Sequence, residues 1–407
     1  MKKSLLLVVS VLLGSTLFAV PTVSDVIVRQ QWPWRSNVRV DFLLDGIGSS
    51  DVRFTFTAYN GETSLGTIPD AAIVGDKYAD MNGLKSVSID PAYAPALQGL
   101  GDIGTFRLEI SCTEVGRLLY KVIDLTKTRG ETDHIRYITE TELKTGDCGN
   151  WQENVVSGVQ SVLWVAPAAG DNDYKKKFLV LRRVRPGTFG LGASHVSTTL
   201  TKGYWIGIFT LTGAQYDYVA ASPLGGSATY PQRNVSQDMM RGSSVSWPGD
   251  GHKVATDSWL GRLCSKVGES GFDLPTEAQW EYACRAGTTD DTIYRSDKTI
   301  DQVAQHGGSC QSVGGKSPNA WGLFDMIGNV WEHTLVWSSG NNSVVEGGYD
   351  PVGPATPPSA NNRIIRGGCF RSGDTNLKVV ARTADTSSTP SATSDQDGFR
   401  LVQNDNW

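Results

Sequence analysis

The sequence predicts an all-β sandwich followed by a loop-rich region built around a short capped helix, and three observations carry that prediction. Early in the chain, apolar and polar residues alternate at period two: Val38, Val40, Phe42 and Leu44, then Val52, Phe54, Phe56 and Ala58, later Phe106, Leu108 and Ile110. Such alternation reads as antiparallel strands with one buried face. Further on, Thr276 and Gln279 stand at the spacing of a capping box, and Gly287 is a natural left-handed stop. They bracket a short helix with Trp280, Ala283 and Cys284 on one face and Glu281 paired to Arg285 at i, i+4. Finally, 340–362 and 383–397 are rich in Gly, Pro, Ser, Thr, Asn and Asp, which makes the second half loop-rich.

Composition sets the limits. A chain of 407 residues has room for two domains, and 39% hydrophobic content with 12 Trp supports real cores. A net charge of −5 gives no reason to propose nucleic acid or an anionic membrane as partner. The one basic run, Lys175-Lys176-Lys177, reads as a solvated face.

Taken in order, residues 1–19 read as a secretory signal peptide: Lys2 and Lys3, an apolar run from Leu5 to Leu13, and Ala19 before the cut. The run is too short for a comfortable membrane span, so no membrane insertion is expected, and the mature chain is expected to be exported, periplasmic or extracellular. Its six cysteines would then meet a disulfide-permissive compartment. Residues 20–128 read as the sandwich, of immunoglobulin or fibronectin type, with turns at Asp45-Gly46, Asn60-Gly61 and Asn82-Gly83. Residues 129–173 read as a connecting segment, in which a Cys148–Cys112 bridge is one option. Residues 174–407 form the second domain, with a strand at 178–181. An amphipathic helix follows on Leu260, Leu263, Cys264 and Val267, with Asp257 as its expected cap.

The stretch Leu274-Pro275-Thr276-Glu277-Ala278-Gln279-Trp280-Glu281-Tyr282-Ala283 resembles the LPTEAEWEYA signature of the formylglycine-generating enzyme family, also called sulfatase-modifying factors. Three further words stand in the family's order: Trp321 to Glu332 (WGLFDMIGNVWE), Arg366-Gly367-Gly368, and Gly398-Phe399-Arg400-Leu401. Pro186 to Phe189, Tyr204 to Gly207, Leu211 to Tyr216 and Ser244 to Trp247 are also similar to family words. The resemblance covers about 174–402 and implies an α+β fold, the C-type-lectin-like sulfatase-modifying-factor fold, after the sandwich.

The resemblance also implies chemistry, and there the sequence departs from it. The family's enzymes oxidise a substrate cysteine to formylglycine and hold copper(I) between two cysteines shortly after the Arg-Gly-Gly word; soft thiolates are what copper(I) needs. Here 369–382 contains one cysteine, Cys369, where the family has the Ser of its GGS. Copper is therefore not expected, and no catalytic residue is assigned. No two histidines stand at helical metal-ligand spacing. The family's calcium site maps onto Asp325, Gly328, Val330 and Glu332, hard oxygen donors that suit a structural calcium ion. The cysteines matching family disulfide positions, Cys264 and Cys284, lack their partners, since Val379 and Leu401 stand there; both are expected to be buried thiols.

Three readings follow. The favoured one is an exported binding or structural module without formylglycine-generating activity. Its partner would be a protein or a glycan, met by polar C-terminal loops with Arg371 and Trp337 as anchors. The second is a protein-modifying oxidoreductase of the family with another active site. The third is a lectin-fold ligand-display protein with variable C-terminal loops.

Overall fold

The structure is a computed structural model that describes residues 20–405 except 31–35, 100–104, 141, 143–150, 157–158, 165–172, 339–346, 357–361 and 385–392. The expected signal peptide and Cys148 lie outside the described residues. The chain divides into two units: residues up to Leu118 with Arg129–Thr132, and Leu119–Thr128 with Asp133–Trp407.

In the first unit the period-two pattern becomes two antiparallel sheets. Thr22–Gln30, Val38–Asp45, Gly83–Ile89 and Ile73–Gly75 pair in that order. Asp51–Asn60 pairs with Phe106–Val115, Thr63–Thr67 and Tyr78–Ala79. The inward residues of the two sheets meet in one core, where the Phe42 and Phe54 rings stand edge to face at 4.8 Å. The Asn60-Gly61 turn closes the hairpin, with Gly61 at φ +58 where an L side chain is strained.

The second unit is mostly strand and loop. Its main sheet has six strands in the order Ile135–Thr139, Leu118–Asp124, Phe178–Val184, Tyr204–Gly207, Val402–Asn404 and Phe272–Asp273. A smaller sheet joins Arg382–Ala384, Arg363–Arg366, Trp331–Trp337 and Asp397–Gly398. The unit begins earlier than the expected boundary at 174, because Leu118–Asp124 pairs antiparallel with Phe178–Val184. Residues 129–173 thus include a strand of that sheet, and Trp151–Val156 with Val159–Trp164 forms a separate hairpin.

Among the described residues the longest helices are Trp259–Val267 and Glu277–Arg285, nine residues each. The first buries Leu260, Leu263 and Val267 as its periodicity predicts, with Cys264 half-buried. Its cap is Ser258 rather than Asp257: the Ser258 hydroxyl accepts the Gly261 N–H at 3.0 Å. A hydroxyl at this position stabilises the helix by about 1 kcal/mol. The second helix carries the expected capping box, Gln279 N to Thr276 Oγ1 at 3.1 Å and Thr276 N to Gln279 Oε1 at 2.9 Å. Its left-handed stop comes one residue before Gly287, at Ala286 (φ +47). The structure also differs from expectation in how much of this helix is covered, since Glu277, Gln279, Glu281 and Arg285 are all buried. Lys175 is another departure from the expected solvated run: it is buried, its ammonium 5.9 Å from the Phe209 ring centre.

Candidate functional site

Charges buried along Glu277–Arg285 need partners, because an unpaired ion in an apolar interior is very costly. Several of the partners come from the other family words, and Gly192, Arg285 and Arg382 supply the rest. Glu281 accepts from Arg366, from the Gly192 N–H at 2.7 Å and from Arg285 Nε at 2.9 Å. Glu277 accepts from Arg382 Nε at 2.7 Å and Nη2 at 2.9 Å, a bidentate pair. Trp280 donates its indole N–H to Glu332 Oε2 at 2.6 Å. Glu332 in turn pairs with Arg400, whose Nη2 reaches Oε1 at 2.7 Å and whose remaining donors satisfy the carbonyls of Gly207 and Phe324 at 2.8 and 2.7 Å. Each of the four words therefore supplies at least one member of a single buried layer of charge pairs.

This layer decides the fate of the expected calcium ligands. Asp325 and Glu332 are both buried near one another, and Asp325 Oδ2 accepts the Gly314 N–H at 2.6 Å. Burial pushes the Asp325 carboxyl above its ordinary range, partly offset by the Gly314 hydrogen bond and by the charges of Arg400 and Lys175. Glu332 accepts the Thr210 hydroxyl at 3.0 Å, the Trp280 indole and both Nε and Nη2 of Arg400. A carboxylate so occupied, with a guanidinium supplying the positive charge, is not offered to a cation. The set Asp325, Gly328, Val330 and Glu332 does not fit the calcium role in this arrangement. Among the described residues no three His, Cys, Asp or Glu side chains converge in a metal-holding group.

Trp337 is also corrected. It lies in the buried strand Trp331–Trp337, donates its indole N–H to the Trp247 carbonyl at 2.8 Å, and carries Arg363 over its ring at 3.2 Å. It is a core residue and has no surface with which to anchor a partner. Arg371 does stand at the surface, its side chain 52% exposed, with a two-pronged pair to Asp395 at 3.0 and 2.9 Å. Beneath it lies Phe370, with the Arg371 guanidinium 4.9 Å and the Arg233 guanidinium 5.9 Å from its ring centre. Residues 385–392, part of the polar stretch expected to share this face, lie outside the described residues.

Cys369 is buried below Arg371, its thiol donating to Gln396 Oε1 at 3.3 Å and its sulfur accepting the Arg371 N–H at 3.4 Å. Sequence reading missed its neighbour. Cys310 packs in the same apolar cluster, with Val330, Trp331, Ile365 and Phe370, and donates to Asn329 Oδ1 at 3.3 Å. Burial pushes the Cys310 thiol up to about 11, so it is protonated at neutral pH. The two cysteines are far apart in sequence and share no motif, so no spacing rule pairs them. Cys284 is fully buried, and burial raises its pKa too. The described cysteines are free thiols.

A strand-and-loop unit wired by buried ion pairs along a short central helix defines the class of domain: a sulfatase-modifying-factor fold. The sulfatase-modifying factor enzyme 1-like domain family matches residues 175–405, and the chain belongs to that family. The chain is 28% identical to the formylglycine-generating enzyme of Bos taurus, over 37% of this chain and 44% of that one. It is 31% identical to the serine/threonine-protein kinase pkn1 of Chlamydia pneumoniae, over 38% of this chain and 24% of the other. The chain thus spans less than half the length of these relatives. Among solved structures, Treponema denticola variable protein 1 aligns with a TM-score of 0.42 at 21% identity, covering 56% of this chain and 95% of that one. PvdO from Pseudomonas aeruginosa aligns with a TM-score of 0.43 at 18% identity, covering 56% and 94%.

Proposed function

We propose that this is an exported binding module that makes no formylglycine and meets its partner, a protein or a glycan, through the face around Arg371, Asp395 and Arg233. The supporting observation is the state of the thiols beside the Arg-Gly-Gly word. Cys369 is 1% exposed and tied to Gln396, and Cys310 is buried in the same apolar cluster and tied to Asn329. Holding copper(I) and presenting it to a peptide and to oxygen requires two reachable thiolates. The arrangement of Cys369 and Cys310 does not fit that role, so no step is routed through copper. The first unit is proposed to be an immunoglobulin- or fibronectin-type spacer, and export rests on the expected leader at 1–19.

A second reading has one observation in its favour. Cys310 supplies a second thiol near Cys369, and a rearrangement that opened their cluster would give a copper-type oxidoreductase of the family. One experiment separates the two. The purified chain is loaded with copper(I), incubated with oxygen and a cysteine peptide of the sulfatase type, and the peptide is weighed by mass spectrometry. An unchanged peptide mass is expected; the aldehyde product overturns the binding reading in favour of the oxidoreductase.

A further inference from the structure

Beside the Arg371 face lies a cleft of about 200 Å³ lined by Leu224, Gly226, Ser227, Tyr230, Gln232 and Arg233, among others. At its base is an amide that the fold leaves incomplete. Gln232 is 4% exposed, and its Nε2 donates to the Arg233 carbonyl at 2.7 Å. Because a carbonyl can only be met by the N–H₂ end, that bond fixes the amide's orientation and leaves Oε1 as the inner acceptor. Oε1 has no hydrogen-bond partner, and a buried acceptor left so costs about 1–3 kcal/mol. Such a group in a folded protein calls for a water or a ligand.

What covers Oε1 is small and sits at the surface. Gly226 lies over it, closely enough that a Cβ there would stand 2.9 Å from Oε1. Leu224, Gly226 and Ser227 are all exposed, so lifting this segment uncovers the acceptor at the cost of two backbone bonds, Tyr230 N–H to the Ser227 carbonyl and Ala214 N–H to the Ala228 carbonyl. The second polar group is Arg233, half-buried, with one Nη1 bond to the Asp395 carbonyl at 2.9 Å. Among the described residues no carboxylate pairs with it, whereas Arg371 next to it holds the Asp395 carboxylate. The cleft is therefore lined by an arginine that no carboxylate pairs with among the described residues and by Tyr230, with an acceptor lacking a donor just beneath Gly226.

We propose that this cleft binds a small carboxylate bearing a nearby hydroxyl or ammonium group, the carboxylate on Arg233 and the donor on Gln232 Oε1, with the Gly226 segment lifting as it enters. About 200 Å³ admits an occupant of the size of an amino acid or a single sugar, given about 30 Å³ per water displaced. The inference deepens the binding reading by naming a ligand class on the same face. Free amino acids and sugar acids both carry this chemistry, and the experiment distinguishes them.

The test is titration calorimetry on the full chain with L-serine in one arm and D-glucuronate in the other. Saturable heat with at least one of them is expected, and the arm that responds names the source. Arg233→Gln, a surface change that leaves the core intact, should weaken binding about tenfold or more, the value of a lost charged hydrogen bond. Gly226→Ala fills the space over Oε1 and should weaken it independently; thermal melts of both variants confirm folding. No heat from either compound overturns the proposal, and so does binding that both folded variants retain. A crystal structure with only a water on Oε1 in the presence of saturating compound overturns it as well. The cysteine-peptide assay is a separate readout, so either proposal can fail without the other.

Discussion

Replacing Glu332 by glutamine removes one charge from the centre of the buried layer and keeps the shape. In the native arrangement Glu332 receives Thr210, Trp280 and Arg400, all inside, with Glu332 and Arg400 essentially unexposed. After the change the Arg400 guanidinium stays buried with neutral acceptors alone, the carbonyls of Gly207 and Phe324 and the one remaining amide oxygen, and an N–H₂ group faces donors where the other oxygen stood. Breaking one partner of a buried pair costs about 3–5 kcal/mol. For a unit of this size that is a fall in melting temperature of roughly 6–20 °C. The assay is thermal circular dichroism of the wild-type and Glu332→Gln chains, each with excess calcium and with chelator. The variant is expected to melt lower by the same amount in both conditions, and the wild type to be indifferent to calcium. A wild type stabilised by calcium, with the gain abolished in Glu332→Gln, would refute the ion-pair reading and restore the ligand role, because an ion that binds only the native state raises stability by mass action.

Other outcomes follow from the same contacts. Trp337→Ala should cost about 3–5 kcal/mol in denaturant unfolding, the usual loss for a truncated core tryptophan, and should not act as a simple surface change. Arg371→Ala should leave stability within about 1 kcal/mol, since its pair with Asp395 is exposed, while weakening capture of the partner. Burial lowers Lys175 to about 8, against the opposing charge of Asp325. The unfolded chain then binds more protons than the native one between about 8 and 10.5, so this group makes stability rise with pH across that window. Lys175→Met should flatten that rise in melts taken at stepped pH; a rise of equal slope in the variant would assign it to other groups.

What the sequence shows plainly is whatever depends on near neighbours. The alternation around Phe42 and Phe54, the Thr276–Gln279 capping box and the apolar stripe through Leu260 and Leu263 all rest on contacts within a few residues or on simple periodicity. Lys175 and Trp337 are invisible by the same logic. Lysines in a run read as solvated, and an aromatic beside a polar loop reads as exposed, until tertiary packing covers them. Cys310 and Gln232 belong to no pattern, because what matters about each is a neighbour supplied by the fold: the shared cluster with Cys369, and the glycine above Oε1.

The four words occupy a middle position, and their physical content changes what resemblance is worth. Trp280 and Glu332 are separated by 52 residues, Glu332 and Arg400 by 68, Glu281 and Arg366 by 85, yet each pair is in hydrogen-bond contact in the interior. No window of sequence displays these bonds, but each word is short because each delivers one or two charges or an indole to a fixed place in the layer. Removing a single member leaves a buried partner uncompensated, which is the expensive case. A chain can thus carry all four words for reasons of folding alone. None of Trp280, Glu281, Glu332, Arg366 and Arg400 has a free face with which to touch a substrate. Activity has to be argued from groups outside the layer, and here those are the thiols of Cys369 and Cys310, the Arg371 face, and the amide of Gln232.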